Sequence, residues 1–317
     1  MPATETTAKD ARRDKKGKNP KRGDVPALTA ATADRHALYQ SAVQNVEAEI
    51  DFVDETYEKL RSKKASKLRE DFCGTGNTSC EWARRRPGNT AAGLDIDEPT
   101  LEWGREHCVG ALEPEARERV RLLDRDVRTP GDATEMDCVL AMNFSYWLFQ
   151  KRSEMLGYFR SVRESLADDG VFFLDFYGGT EAGTEQDYEE SERRECVLPG
   201  KGPKRARTYT YVWQQKRYNP VTGEMHCRIH FEFPDGTEMR DAYTYTWRLW
   251  GLPEILEVLE EAGFGPVTVY WEGDEVDDDG ETTGEGDGVF TPAGDEENCE
   301  SFICYIVAEK NGSPATA

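Results

Sequence analysis

The apolar positions of the chain follow three rhythms in turn. Leu38, Val43, Val46, Ile50, Val53, Tyr57 and Leu60 recur mostly at three- and four-residue steps, which predicts an amphipathic helix over residues 34–62. From residue 67, short apolar runs alternate with helical stretches. Strands are predicted at 67–72, 90–96, 120–124, 137–142 and 171–177, with helices at 78–86, 99–109 and 153–167. The run 171–177 is apolar almost throughout, as a strand buried on both faces requires. Strand and helix in alternation predict an α/β fold with a parallel, doubly wound, Rossmann-like sheet.

Beyond Gly178-Gly179 a two-residue period takes over. Segments 207–218, 224–233 and 237–249 read as three long strands, joined through Asn219-Pro220-Val221-Thr222-Gly223 and Pro234-Asp235-Gly236. Connections this short and turn-rich make an antiparallel β-meander, inserted after the fifth strand. A helix at 252–261 and strands at 267–271 and 301–308 complete the pattern. The chain thus divides into a disordered basic tail (1–33), a core (34–178), a β insertion that covers the substrate (179–249) and a completion of the core (250–317) with an acidic loop at 272–300.

Composition narrows what such a fold does. The 317 residues hold 40 basic and 62 acidic side chains, a formal net charge of −22. Residues 1–23 carry eight bases and three acids, while 272–300 hold thirteen acids and no base. An acidic body repels phosphate backbones, so extended nucleic-acid binding is not expected. No apolar run approaches the roughly 20 residues of a membrane helix, and no signal-peptide core is visible. Eight cysteines without a C-x-x-C pair, mostly in apolar surroundings, predict reduced, buried thiols and a cytoplasmic protein.

Candidate chemistry collects at the strand ends. The segment Leu68-Arg69-Glu70-Asp71-Phe72-Cys73-Gly74-Thr75-Gly76 places two glycines just past the first strand, where only glycine turns tightly and lets a ligand approach the backbone. Asp95 ends the second strand, 19 residues beyond Gly76, where a carboxylate can accept from both ribose hydroxyls of a nucleoside. Asp126 follows the third strand and can accept from an exocyclic adenine amine.

These runs resemble the class I S-adenosylmethionine-dependent methyltransferases. Glu70 falls on the acid of that family's first motif and Gly74 and Gly76 on its last two glycines, while Phe72 replaces the first. Gly93-Leu94-Asp95-Ile96-Asp97, followed by Leu101, resembles the ribose-binding strand end, and Asp124-Arg125-Asp126-Val127 the adenine side. Met136-Asp137-Cys138-Val139-Leu140-Ala141-Met142-Asn143 resembles the fourth strand, which leads to the reaction centre, and 166–174 the fifth. The resemblance covers residues 34–178 and 250–309. It implies a seven-stranded sheet with the last strand antiparallel and S-adenosyl-L-methionine as cofactor. It also implies a cofactor site of Glu70, Phe72, Cys73, Gly74, Thr75, Gly76, Asp95, Ile96, Asp126, Val127 and Asn143. Tyr39, near the start of the first helix, is placed to close over it as a lid, against the plainer reading of a packing tyrosine.

Methyl transfer from a sulfonium is an in-line displacement, so the enzyme mainly aligns a deprotonated acceptor and excludes water. No base stands out; Asn143, Tyr146 and Tyr177 are catalytic candidates by position. Phe144, Tyr146 and Trp147 offer ring faces that attract a methylsulfonium. His226, Arg228 and His230 alternate along one strand and share a face. With Trp147 and Arg248 they are the expected substrate contacts, the alternative being a solvated sheet face. The expected reaction is transfer to an N or O atom of a small-molecule acceptor. Other readings are a nucleic-acid or protein methyltransferase, an NAD(P)-binding oxidoreductase, and a non-catalytic cofactor-binding protein. Residues Asn143 to Tyr146 are similar to the Asn-Pro-Pro-Tyr motif of base amino-methyltransferases but lack both prolines. No metal site is expected. Cys227 points away from His226 and His230, and the run Glu275-x-Asp277-x-Asp279-Gly280 reaches Gly286 where a calcium loop needs an acid. The oligomeric state is left open.

Overall fold

The computed structural model describes residues 27–276 and 282–311. Strands β1 (Lys67–Asp71), β2 (Thr90–Asp95), β3 (Val120–Asp124), β4 (Met136–Ala141) and β5 (Leu166–Gly178) run parallel in the order β3-β2-β1-β4-β5. An antiparallel second sheet follows in the chain: β6 (Glu192–Val197), β7 (Thr208–Tyr218), β8 (Glu224–Glu232) and β9 (Glu238–Arg248). The main sheet then resumes with β10 (Val267–Val276), β11 (Thr282–Ala293) and β12 (Phe302–Glu309). Strand β12 lies antiparallel between β5 and β10, so the chain has the doubly wound topology with its last strand reversed.

Both faces of the main sheet are covered, which is why its strands lack polar alternation. Leu68, Cys138, Leu140, Val171 and Phe173 meet helices α2 (Val46–Arg61), α3 (Asn77–Arg85), α4 (Glu98–Gly104) and α5 (Pro114–Arg117) on one face. Val139, Ala141, Phe172 and Leu174 meet α6 (Arg152–Ser165) and α7 (Leu252–Glu261) on the other. At the centre of β1, Arg69 is wholly buried. Its Nε and Nη2 donate to the two carboxylate oxygens of Asp71 at 2.8 and 3.0 Å, and Nη1 to the Ala133 carbonyl at 3.1 Å. The Tyr158 hydroxyl donates to the same carboxylate at 2.9 Å. A buried ion pair of this kind holds only when its remaining polar atoms find partners, as they do here.

Four expectations change. The helix expected over 34–62 is two helices, α1 (Arg35–Val43) and α2, parted by extended backbone at Gln44. The periodicity continues across the break because each helix has its own apolar face. Leu38 and Ala42 of α1 pack on the second sheet with Tyr209 and Phe231, whereas Ile50, Val53 and Tyr57 of α2 pack on the main sheet. Second, the insertion has four strands, not three. β6 is a charged edge strand, Glu-Arg-Arg-Glu-Cys-Val, whose ladder bonds are indifferent to exposed side chains.

Third, the acidic loop of 272–300 is largely a hairpin, giving the main sheet eight strands instead of seven. Thr291 pairs with Trp271 and Phe290 with Glu272, and the Phe290 ring packs on Phe52 and Tyr305 at 5.8 and 4.5 Å. Its acids masked the apolar positions that anchor it. Fourth, residues 27–33, assigned to the tail, form a turn in which Leu28, Ala30 and Ala33 pack against the insertion and Ala30 N donates to Thr237 Oγ1 at 2.9 Å. Residues 1–26 of that tail, and Asp277 and Asp279 of the calcium-like run, lie outside the described residues. Among the described residues no helix is long and apolar enough to cross a membrane.

Candidate active site

The turn after β1 builds the site. Phe72, Gly74 and Gly76 take left-handed backbone, with φ of 57°, 51° and 68°. At Gly76 a Cβ would stand 2.4 Å from Leu122 Cδ2, so glycine is required there on both counts. The chain stays tight enough for Gly74 N–H to donate to Asp95 Oδ2 at 2.8 Å. Asp95 Oδ1 accepts from Ile96 N and Asp97 N at 2.8 and 3.0 Å. Three backbone amides therefore fix one carboxylate at the end of β2 while leaving it acceptor capacity toward the cavity.

Beneath the turn, Glu70 accepts from Ser79 N at 2.8 Å and Ser79 Oγ at 2.6 Å, tying β1 to the first turn of α3. Burial pushes its carboxyl up to about 7. Glu49 of α2, which adds to that push, is itself raised from an ordinary 4.5 to about 7 by burial, and its Oε2 is unpartnered. Folded Glu49 keeps its proton until about pH 7, whereas the unfolded chain releases it near 4.5. Its contribution to stability is full below the unfolded value and is lost as pH rises through the folded one. Glu49→Gln is thus expected to stabilise the fold by about 1–3 kcal/mol above neutral pH and by little in acid, read by urea unfolding. Parallel pH dependences in the two proteins would rule this account out.

A cavity of about 430 Å³ lies between the strand ends and the insertion. One wall is the β1 turn with Asp95, Ile96, Asp126 and Val127; the facing wall is Tyr39 of α1 with Tyr243, Tyr245 and Trp247 of β9. Tyr39 and Tyr243 approach with ring centroids 4.7 Å apart, and Tyr245 stacks on Trp247 at 4.4 Å. His36, held toward its neutral form by burial and by Arg35, bonds Tyr243 Oη at 3.1 Å and closes one edge. The Arg128 guanidinium donates to Asp126 at 2.5 Å and holds that carboxyl below its usual range. Ile96 is 73% exposed at the rim, an apolar surface suited to cover by a flat ring.

The structure gathers around this cavity Tyr39, Glu70, Phe72, Cys73, Gly74, Thr75, Asp95, Ile96, Asp126, Val127 and Asn143. Gly76 shapes the turn from behind. Of the proposed catalytic residues, Tyr146 is buried with its hydroxyl donating to the Asp175 carbonyl at 2.8 Å, and Tyr177 packs against Phe144 and Trp147. Neither lines the cavity, and nor does Trp147, which is buried beneath Trp247.

The expected substrate face of the meander points away. Met225, Cys227, Ile229 and Phe231 of β8 are buried, so strand alternation turns His226, Arg228 and His230 to the other side. There they bond Glu224, Asp241 and Gln214 respectively. Arg248 pairs with Glu254 at 2.9 Å and lies over Trp250. The insertion instead offers β9, whose pattern Tyr243-x-Tyr245-x-Trp247 was the readable signal. The other residue missed is Asp175, the one acid within the apolar run 171–177.

Fold and site together are similar to those of the Rossmann-like S-adenosylmethionine-dependent methyltransferases. A methyltransferase domain family matches residues 71–174, the stretch that carries the glycine turn, Asp95, Asp126 and Asn143, and S-adenosylmethionine is the cofactor. This sets the oxidoreductase reading aside. Three solved structures share the fold. The amino pentose methyltransferase CalS10 of Micromonospora echinaspora is 18% identical, covering 87% of this chain and 96% of its own, with a TM-score of 0.59. DesVI of Streptomyces venezuelae is 18% identical over 86% and 95%, TM-score 0.58. The sugar N-methyltransferase KedS8 of a Streptoalloteichus species is 15% identical over 98% and 98%, TM-score 0.56. No curated protein matches by sequence.

Proposed function

We propose that the enzyme transfers a methyl group to a nitrogen or oxygen of a small-molecule acceptor, with an amino group favoured. The observation that carries this is the closure of the cavity by β9: an aromatic wall faces the glycine turn across about 430 Å³, a space for compact ligands. The lining sets Glu70, Asp71, Asp95, Asp97 and Asp126 against Arg125 and Arg128, an excess of acids that favours an amine over an anion. Amino sugars, the acceptors named for CalS10 and KedS8, match this class in size and charge.

In this reading the cofactor supplies an electrophilic methyl group on a positive sulfur. Asp95 holds the ribose hydroxyls, Asp126 with Val127 the adenine edge, and Glu70 secures the β1 turn under the methionine end. Tyr39, Tyr245 and Trp247 exclude water and attract positive charge through their ring faces. Asn143 at the end of β4 orients the acceptor. Calorimetry with S-adenosylmethionine, followed by mass spectrometry of an amino-sugar panel and its hydroxyl counterparts, tests the assignment. Methylated amines are expected; methyl groups found only on nucleic acid or protein would overturn it.

Trp247→Ala is expected to raise KM for such an amine about tenfold by removing a ring face, with cofactor affinity held within about twofold. An equal loss of both would place Trp247 in the cofactor half instead.

A further inference from the structure

The end of β4 has an unusual backbone. Asn143 and Phe144 are consecutive non-glycine residues, both left-handed, with φ of 57° and 54°. Neither is free of cost, because the Cβ of an L-residue crowds its own carbonyl in this region. Here the N–H groups of both residues converge on one anion. The anion is supplied from within the chain. Asp175 Oδ2 accepts from Asn143 N at 2.6 Å and Oδ1 from Phe144 N at 2.9 Å, one oxygen for each amide.

The two held residues face different partners. Asn143 lines the cavity. The Phe144 ring turns to Trp147, Tyr177 and Trp247, the last belonging to the strand that closes the cavity. One carboxylate therefore joins the strand end to the acceptor wall. We propose that Asp175 is a positioning residue for methyl transfer: by accepting both amides it keeps Asn143 and Phe144 left-handed and so presents Asn143 to the reacting groups. The inference rests on the proposed function, with Asn143 placed where the methionine end of the cofactor meets the acceptor.

Only a charged carboxylate offers acceptors to both amides without constraint; a proton on either oxygen sets an O–H against an N–H. Burial pushes the Asp175 carboxyl from an ordinary 3.8 up to about 7, against the pull of the two amides. The groups that face it are Glu49 of α2, Tyr39 of α1, Tyr146 after β4, and Cys304 and Tyr305 of β12. All of these are acids, and none is a base that would hold the charge in place. The sign for folding is opposite to the sign for function. Because the folded value lies above the unfolded one, stability from this group is full below about pH 3.8 and is lost as pH rises through about 7. The contact with both amides, in contrast, is fully held only above it.

Amide NMR of the full chain tests this without any acceptor. The Asn143 and Phe144 signals are expected to move together with pH, at one midpoint, in the parent and in Glu49→Gln. In Asp175→Asn, whose side chain offers one oxygen and turns an NH₂ toward the second amide, neither signal should follow that transition. The same variant is expected to bind S-adenosylhomocysteine about tenfold more weakly near pH 8, with no fall in melting temperature, since it removes a buried charge. Separate midpoints for the two amides, or no movement, would overturn the proposal. So would an Asp175→Asn protein that melts lower yet binds the cofactor product as the parent does, the mark of a purely structural residue. If Asp175→Asn fails to fold, the parent titration alone decides. A failed amine screen with a shared amide midpoint would sink the acceptor assignment and leave the Asp175 contact standing.

Discussion

Asp95→Ala is expected to weaken S-adenosylmethionine binding by about a hundredfold, measured by calorimetry, with little change in melting temperature. Two effects add. The carboxylate is the partner assigned to the ribose hydroxyls, and charge-assisted hydrogen bonds are the strong kind. It is also the acceptor for Gly74 N, so its loss frees the β1 turn on which the methionine end is to rest. Asp95→Asn separates the two: it keeps one oxygen for an amide and is expected to retain part of the affinity. An Asp95→Ala protein within about threefold of the parent would show that the nucleoside binds elsewhere.

Arg69→Leu is expected to destabilise the fold by about 3–5 kcal/mol, because it strands the Asp71 carboxylate in the sheet. Burial already pushes Asp71 upward, against Arg69 and Tyr158, which favour its charged form. Thermal unfolding should show a drop of roughly ten degrees, growing with pH as the stranded acid is forced to ionise. The double substitution Arg69→Met with Asp71→Leu removes both charges and is expected to recover most of the loss, since a well-packed apolar pair can equal a buried ion pair. Equal melting temperatures for the single and double variants would mean that the pair is not what holds β1.

The legible part of this molecule was its parallel core. Strands such as Val171–Phe173 are apolar because both faces are covered, and Gly74, Gly76 and Asp95 stand where strand ends must turn. Those are local requirements, and a local reading finds them. The residues that went astray depend on which face a strand presents. His226, Arg228 and His230 share a face as expected, but the choice of face is made by Met225, Cys227 and Ile229, whose burial is decided by packing distant in sequence. Tyr146 and Trp147 were placed by proximity to the strand end, yet the left-handed pair Asn143–Phe144 turns the chain inward just before them. The hairpin of β10 and β11 escaped notice because ladder hydrogen bonds form regardless of side-chain charge, and within the acidic stretch the ring of Phe290 is what packs on Phe52 and Tyr305.

The break between α1 and α2 changes what counts as the beginning of the catalytic body. Helix α1 is tied to the insertion through Tyr209 Oη to the Leu38 carbonyl at 2.8 Å and Ser41 Oγ to the Val197 carbonyl at 3.3 Å. It is tied to the core through Gln40 Nε2 to Thr75 Oγ1 at 2.7 Å and Trp103 Nε1 to Asp34 at 2.9 Å. It therefore works as a rivet between two sheets that also meet where Trp247 of β9 packs on Phe144 and Trp147. Trimming the N-terminus as far as residue 44 would delete this rivet. It would remove Tyr39 and His36 from the cavity lining and cut the contacts that α1 makes with both sheets.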